Sequence, residues 1–206
     1  GDSFIVGREA ELTRIESIVN DWKDGYRGAL LFYGERFSGK TTLLEILVRK
    51  FFNNNSYRLN PNSELNINGR KLKTSSDLKE ALDFVCKYQN DKTPVVLIDD
   101  LELWYSDKVP FFQNIHYLSQ CIDAYSKKIF FVVTTNSCLQ KQLQIYCDFN
   151  KGFQAQIDLS YLSKSALQRA ISIRHGATHK TLVNTNGEEI PPGQLDKYIT
   201  QLHKNC

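Results

Sequence analysis

One segment near the amino terminus has the residue types and spacing of a phosphate-binding loop. Gly34, Gly39, Lys40 and Thr41 occupy every fixed position of the pattern GxxxxGK followed by Ser or Thr. Glycine permits the sharp turn that points backbone N–H groups at phosphate oxygens, and the N-terminus of a following helix favours the same anion. The lysine reaches the β- and γ-phosphates, and the threonine hydroxyl completes a Mg²⁺ shell. The pattern therefore predicts a nucleoside triphosphate site with contacts from Gly34, Glu35, Arg36, Phe37, Ser38, Gly39, Lys40, Thr41 and Thr42.

Two carboxylates follow a short apolar run about sixty residues further along the chain. Asp99 and Asp100 come directly after the four apolar residues 95–98. Phosphoryl transfer needs an acidic group beside Mg²⁺, and a buried strand whose carboxyl end points at the ligand supplies one. We expect Asp99 to hold the metal ion and Asp100 to polarise the attacking water. The alternative is that the two aspartates merely end a strand and begin a turn.

A second apolar run also ends in polar side chains. Residues 130–133 are followed by Thr134, Thr135 and Asn136. Asn136 is the residue that we expect to contact the γ-phosphate or the attacking water. Thr and Asn also favour the exit from a strand into a turn for local reasons, so that alternative stays open.

Apolar runs of strand length alternate with segments of helical period, which predicts an α/β fold with a buried parallel sheet. The tail after residue 160 has only helical patterns, so the predicted organisation is an α/β core over 1–159 and a helical tail over 160–206. Residues 60–71 form a predicted polar loop. The predicted strands cover 29–33, 56–59, 95–98, 129–133 and 155–159, and the predicted helices cover 9–24, 41–52, 75–88, 111–125, 163–174 and 193–203.

Composition excludes several classes of protein. The 206 residues are 41% hydrophobic and 24% charged, which is ordinary globular usage rather than that of a disordered chain. A net charge of +3 is too small for a dedicated nucleic-acid binder, and no apolar run is long enough to predict contact with a membrane. The five cysteines form no CxxC pair, which favours reduced thiols in the cytoplasm or nucleus. The absence of methionine suggests a segment of a longer protein whose helical tail is incomplete.

The order of these motifs resembles the AAA+ and STAND branch of P-loop ATPases. FIVGRE looks like that family's entry motif, GERFSGKTT its phosphate loop, VVLIDD its acidic strand and FFVVTTNS its sensor strand. The resemblance implies a three-layer P-loop fold with a mainly parallel five-stranded sheet and a small helical lid. It implies ATP or ADP with Mg²⁺ as ligands, with Val6, Gly7 and Arg8 against the adenine. The paired aspartates and paired threonines are closest to the STAND and origin-recognition-like members.

The resemblance also implies an ATPase whose nucleotide state switches a larger protein. Lys40, Asp100 and Asn136 are its expected catalytic residues. Turnover is expected to be slow, since Asp100 replaces the longer glutamate and the only cations between Asn136 and Ala155 are Lys141 and Lys151. Protein partners or self-association are expected through the longer chain. The alternatives are a nucleotide-gated signalling scaffold with little hydrolysis, or a DNA-associated initiator or transposition-type ATPase, although the small net charge does not support DNA binding.

Several weaker features carry less specific expectations. His175 and His179 are spaced as a metal pair, but Gly176 interrupts the helix and no third ligand is near. Trp104 and Tyr105 are expected to pack, and residues 70–73 to form a solvated loop. The tail offers only Arg169 and Arg174 as candidates for a second sensor.

Overall fold

The computed structural model describes residues 6–89, 94–105, 109–178, 183–191, 194 and 197–200. They belong to two compact units, one of residues 14–159 and one that combines residues up to 13 with those from 160 onward. The first unit contains the sheet and the phosphate loop. The division of function between a core and a helical lid stays a prediction.

A five-stranded, entirely parallel sheet forms the middle layer of the first unit. Its strands are β1 (Ala29–Tyr33), β2 (Tyr57–Leu59), β5 (Val95–Ile98), β6 (Phe130–Thr135) and β7 (Ala155–Asp158). Their order in the sheet is β2-β5-β6-β1-β7, so the chain crosses over between strands as in other α/β folds. Strands β5 and β6 are buried along their whole length, which explains why the sequence there shows continuous apolar runs rather than alternation.

Helices flank this sheet, which confirms the predicted three-layer α/β P-loop fold. They are α1 (Glu9–Lys23), α2 (Lys40–Phe51), α3 (Leu78–Tyr88), α4 (Phe111–Tyr125), α5 (Ser137–Cys147) and α6 (Lys164–Thr178), with short 3₁₀ helices at Leu101–Trp104 and Phe149–Gly152. In α2 the buried residues Leu43, Leu44, Leu47 and Val48 recur at helical spacing, so one face packs inward. None of the helices in the described part of the chain is both long and apolar enough to cross a bilayer.

The segment predicted as a polar loop over 60–71 is instead largely a β-hairpin. Strand β3 (Glu64–Ile67) pairs antiparallel with β4 (Arg70–Lys73). Asn68 and Gly69 connect them with φ angles of 51° and 78°, the conformation that Asn-Gly favours in tight hairpins. Leu65 and Ile67 alternate inward along β3. Residues 70–73 are therefore a strand rather than a loop, although the side chains of Arg70, Lys71 and Lys73 are exposed to solvent as predicted.

Local capping corrects two further expectations. The helix predicted from residue 75 begins at Leu78, because the carboxylate of Asp77 accepts the backbone N–H of Lys79 at 2.9 Å. Helix α5 was not predicted at all, and it begins where Asn136 accepts the N–H of Leu139 at 2.7 Å. The strand predicted over 129–133 covers Phe130–Thr135 instead, so both threonines belong to β6. Most of the helix predicted over 193–203 lies outside the described residues.

Two apolar layers hold the sheet in place. On one side, Trp22, Phe52 and Phe130 form a cluster whose ring centroids are 5.3 to 6.0 Å apart. On the other side, α3 and α4 share a buried core that includes Trp104 and Phe131. Trp104 is fully buried, which confirms its expected packing role, whereas Tyr105 is 66% exposed.

Candidate functional site

The phosphate loop connects the carboxyl end of β1 to the first turn of α2. Gly39 caps α2 with a φ of 96°, and Phe37 also has a positive φ, of 64°. The Lys40 ammonium reaches back across the loop and donates to the carbonyls of Gly34 and Glu35 at 3.0 and 3.2 Å. The lysine side chain is thus held inside the curve of the loop, where a phosphate anion would meet it.

The two pattern glycines are required for different reasons. A Cβ on Gly34 would lie 2.5 Å from the carbonyl oxygen of Leu159 and 2.7 Å from the Ser38 hydroxyl, so a side chain does not fit there. A Cβ on Gly39 would meet no atom within 4 Å, but its positive φ is one that other residues rarely adopt. Gly34 therefore serves close packing, while Gly39 serves the turn that leaves open space beside the loop.

Asp99 is the point where three elements of the site meet. Its Oδ2 accepts from the Thr41 hydroxyl of α2 at 3.2 Å, and its Oδ1 accepts from the Thr134 hydroxyl of β6 at 2.6 Å. The side chain is largely buried, with 8% of its surface exposed. The structure thus brings together the two predicted metal ligands, Thr41 and Asp99, and fixes the orientation of the carboxylate.

The oxygen atoms of Asp99 and Thr41 are hard ligands of the kind that Mg²⁺ prefers. No cluster of three or more His, Cys, Asp or Glu side chains that would hold a metal ion occurs among the residues described. A Mg²⁺ ion here would thus take its other ligands from phosphate oxygens and water, which is its usual mode in nucleotide sites. The side chains present fit such an ion.

Asp100 is held by its backbone at the start of the Leu101–Trp104 turn. Its φ is 50°, and its N–H donates to the Thr134 hydroxyl at 2.8 Å. Burial, and then the negative charges of Asp99 and Glu102, raise the pKa of the Asp100 carboxyl above its ordinary value. The structure therefore places Asp100 in a partly buried, crowded acidic environment beside the phosphate loop.

Two cavities with shared lining residues adjoin the loop. One of about 390 Å³ is lined by Arg36, Phe37, Gly39, Lys40, Thr41, Thr42 and Asp100. The other, of about 410 Å³, is lined by Glu35, Arg36, Lys40, Asp100, Glu102, Leu103 and Asn136. The structure thus brings residues from the loop, the acidic strand end and the polar strand end to one place. Their individual roles toward a nucleotide stay predictions.

Sequence reasoning missed three polar residues of this site. Thr134 bridges Asp99 and the backbone of Asp100, and the Thr135 hydroxyl donates to the Glu102 carboxylate at 3.1 Å. The sequence places both threonines at a strand end without predicting a role for them, and it gives no prediction for Glu102. The signal was the exit of both strands at the same edge of a parallel sheet, which brings β5 and β6 side chains together.

The expected adenine contacts belong to the other unit. There, the Arg8 guanidinium donates to the Glu11 carboxylate at 3.0 Å and to the carbonyl of Ser160. A Cβ on Gly7 would lie 2.8 Å from the Cβ of Ala166. Val6, Gly7 and Arg8 as adenine contacts therefore stay a prediction, as do Arg169 and Arg174 as a second sensor. His179 and Cys206 lie outside the described residues.

The remaining cysteines that the structure describes, at positions 86, 121, 138 and 147, are free thiols.

Comparison with protein families gives one match. The model of the ATPase family associated with various cellular activities (AAA) matches residues 30–150, which is more than half of the 206-residue chain. The match includes the phosphate loop, both aspartates and the polar end of β6. No curated protein matches the chain.

Proposed function

The chain belongs to the ATPase family associated with various cellular activities, and from that premise we propose that it is a slow, Mg²⁺-dependent ATPase. Membership makes it an ATP-binding NTPase module. The proposal adds the metal ion, the hydrolysis and the roles of individual residues. The nucleotide state would then switch the conformation of a larger protein, as the resemblance to STAND and origin-recognition-like ATPases implies.

The observation that carries this proposal is the hydrogen bond between Thr41 and Asp99. It joins the first turn of α2 to the carboxyl end of β5 at 3.2 Å. Both oxygens would therefore be available to hold one Mg²⁺ ion next to the phosphate loop. If the two aspartates only ended a strand, a hydrogen bond between Asp99 and Thr41, the last residue of the GxxxxGKT pattern, would not be expected.

Each charged group has a defined task toward ATP. The Lys40 ammonium would exchange the two loop carbonyls for β- and γ-phosphate oxygens, and the N–H groups at the start of α2 would bind the same phosphates. Asp99 and Thr41 would hold Mg²⁺. When bound, that ion neutralises charge that develops on the phosphate oxygens. Binding would therefore depend on the positive charge of residue 40.

Two residues would act on the attacking water. Asp100 lies beside Lys40 in both cavities, and Asn136 lines one of them. The Oδ1 atom of Asn136 is engaged in capping α5, so its Nδ2 group is the one that would donate to water or to the γ-phosphate. An aspartate is one methylene shorter than a glutamate and reaches the water less closely. We therefore expect slow hydrolysis.

Nucleotide binding by calorimetry tests the proposal directly. The Lys40→Ala variant is expected to lose at least about a hundredfold in affinity for MgATP, because a buried charge-assisted contact to phosphate is removed. Lys50→Ala is the matched control, since Lys50 lies on the same helix in a surface ion pair with Glu16. Equal affinities of wild type and Lys40→Ala would contradict the phosphate site.

A measurement of ATP turnover distinguishes the proposed ATPase from a nucleotide-gated scaffold. Phosphate release by the wild type should require Mg²⁺ and should disappear in Asp100→Asn while MgATP still binds. Tight nucleotide binding with no release of phosphate, even at high protein concentration, would instead favour the nucleotide-gated scaffold.

A further inference from the structure

Helices α3 and α4 pack side by side in a constant register. The N–H of Leu78 donates to Asn114 Oδ1 at 3.1 Å, across 36 residues, and the Tyr117 hydroxyl donates to Asp83 Oδ1, across 34 residues. The sequence separation barely changes as the contacts move along both helices, so the helices run parallel. The next facing positions in this register are Cys86 and Cys121.

The register of the two helices places these two thiols opposite each other. Both are free, and Cys86 packs against the buried core to which Cys121 belongs. Cys121 is 4% exposed and belongs to the core between the helices and the sheet, while Cys86 is only partly buried. A small oxidant can therefore reach the pair from the Cys86 side.

The surrounding groups favour the thiolate form of Cys121. The neighbouring Cys86 thiol, opposed by burial, lowers the pKa of the Cys121 thiol. The Lys79 ammonium lies 4.7 Å from the centre of the Tyr117 ring and pairs with the Asp83 carboxylate at 2.5 Å. Lys79 favours the negative charge on Cys121, and Asp83 opposes it.

We propose that Cys86 and Cys121 are a dithiol site that hydrogen peroxide converts into a disulfide joining α3 to α4. The Cys121 thiolate attacks one peroxide oxygen, so an S–O bond forms and the O–O bond breaks with loss of hydroxide. The Cys86 sulfur then attacks the Cys121 sulfur, the S–S bond forms, and the oxygen leaves as water with the Cys86 proton. Both sulfurs are oxidised, and the peroxide is reduced to water.

The disulfide would restrain the short helix Leu101–Trp104, which directly follows the two aspartates at the end of β5. Asn114 of α4 donates to the carbonyl oxygens of Ser76 and Trp104, each at 3.0 Å. Trp104 ends the short helix that contains Glu102, which lines one of the two cavities. A covalent bond between α3 and α4 therefore braces the helix whose Asn114 holds that segment in place.

Peptide mapping of the full chain tests the site. The folded protein is treated with hydrogen peroxide, free thiols are alkylated before unfolding, and the digest is analysed by mass spectrometry. The expected result is a cross-linked peptide that contains Cys86 and Cys121, has lost two hydrogens, and separates on addition of dithiothreitol. The oxidised protein should also melt about 5–10 °C higher than the reduced one.

Single variants give the controls. Cys86→Ser and Cys121→Ser should each abolish the cross-link and the dithiothreitol-sensitive rise in melting temperature. Cys138→Ser should keep both, because Cys138 is an exposed thiol on α5. If peroxide-treated wild type contains no Cys86–Cys121 peptide, or contains it only when oxidised in urea, the proposal is wrong. Mapping of the wild type needs no variant to fold.

Discussion

Two polar regions of the same unit are organised in opposite ways. The phosphate-binding edge, made of residues 34–41, 99–102 and 134–136, directs charged groups toward two cavities. In the α3–α4 face, made of residues 76–86 and 114–121, Asn114 is 1% exposed and has all its hydrogen bonds within the fold. The edge keeps polar groups available for a ligand, at a cost in stability, whereas the face uses them to hold elements together. Substitutions should therefore affect chemistry at the edge and stability at the face.

The largest expected effect is on turnover at the edge. Asp99→Ala removes the carboxylate that we assign to Mg²⁺ and should lower ATP turnover about a thousandfold, which corresponds to the several kcal/mol that a metal ion supplies to a phosphoryl-transfer transition state. The melting temperature should change little by comparison. Phosphate release and thermal unfolding of the same samples measure both quantities.

The control for Asp99→Ala is Asp123→Ala, which removes a surface carboxylate paired with Arg27. It should leave turnover at the wild-type rate. Full turnover by Asp99→Ala would show that the metal ligand is elsewhere.

The matching prediction for the face concerns Asn114. Asn114→Ala leaves the buried N–H of Leu78 and two carbonyls without their partner, and should lower the free energy of unfolding by about 3 kcal/mol. Urea denaturation measures this loss. Gln113→Ala is the control, because Gln113 precedes Asn114 on α4 but is exposed. If the two variants are equally stable, the face does not depend on buried hydrogen bonds.

The difference between the regions also explains what the sequence could predict. The phosphate loop and Asp99 depend on local spacing, since a strand, a glycine turn and a helix start are encoded within a few residues. Four of the five sheet strands lie within one residue, at each end, of the segments that the sequence predicts. The Asn114 contacts with Leu78 and Ser76 join residues 36 and 38 apart, and no local pattern encodes such a distance.

The hairpin, helix α5 and the role of Glu102 are not predicted from the sequence, because each depends on contacts that local patterns do not show clearly. The hairpin over 64–73 had an Asn-Gly turn signal, but its polar strands hid the alternation of Leu65 and Ile67. Helix α5 depends on the cap made by Asn136, a residue that the sequence assigns to the γ-phosphate, to the attacking water or to a strand exit, but not to a helix start. Glu102 enters the site because Thr135 of the neighbouring strand binds it. Such contacts require the assembled sheet.

A smaller effect on turnover is expected from substitution of Thr135. Thr135→Val keeps the shape of this fully buried side chain but removes the hydroxyl that orients Glu102 at the cavity. We expect turnover to fall about fivefold, the equivalent of one hydrogen bond of about 1 kcal/mol. Thr135→Ser should restore most of the rate because it keeps the hydroxyl. Equal rates for the valine and serine variants would mean that the position of Glu102 does not matter for turnover.

The smallest expected effect is on the melting temperature, and it tests whether the charges at the phosphate-binding edge destabilise the folded protein. Burial, Asp99 and Glu102 raise the pKa of Asp100 in the folded state, so the ionised carboxylate destabilises the fold at neutral pH. Asp100→Asn removes that charge, and without nucleotide or Mg²⁺ it should raise the melting temperature by about 2 °C at pH 7. The gain should shrink as the pH falls through the raised folded-state pKa and should vanish below the ordinary aspartate pKa, where both states are protonated. A gain that persists unchanged in acid would arise from packing rather than charge. The same substitution should abolish turnover. A more stable but inactive variant would therefore be direct evidence that the Asp100 carboxylate lowers the stability of the fold and is needed for hydrolysis.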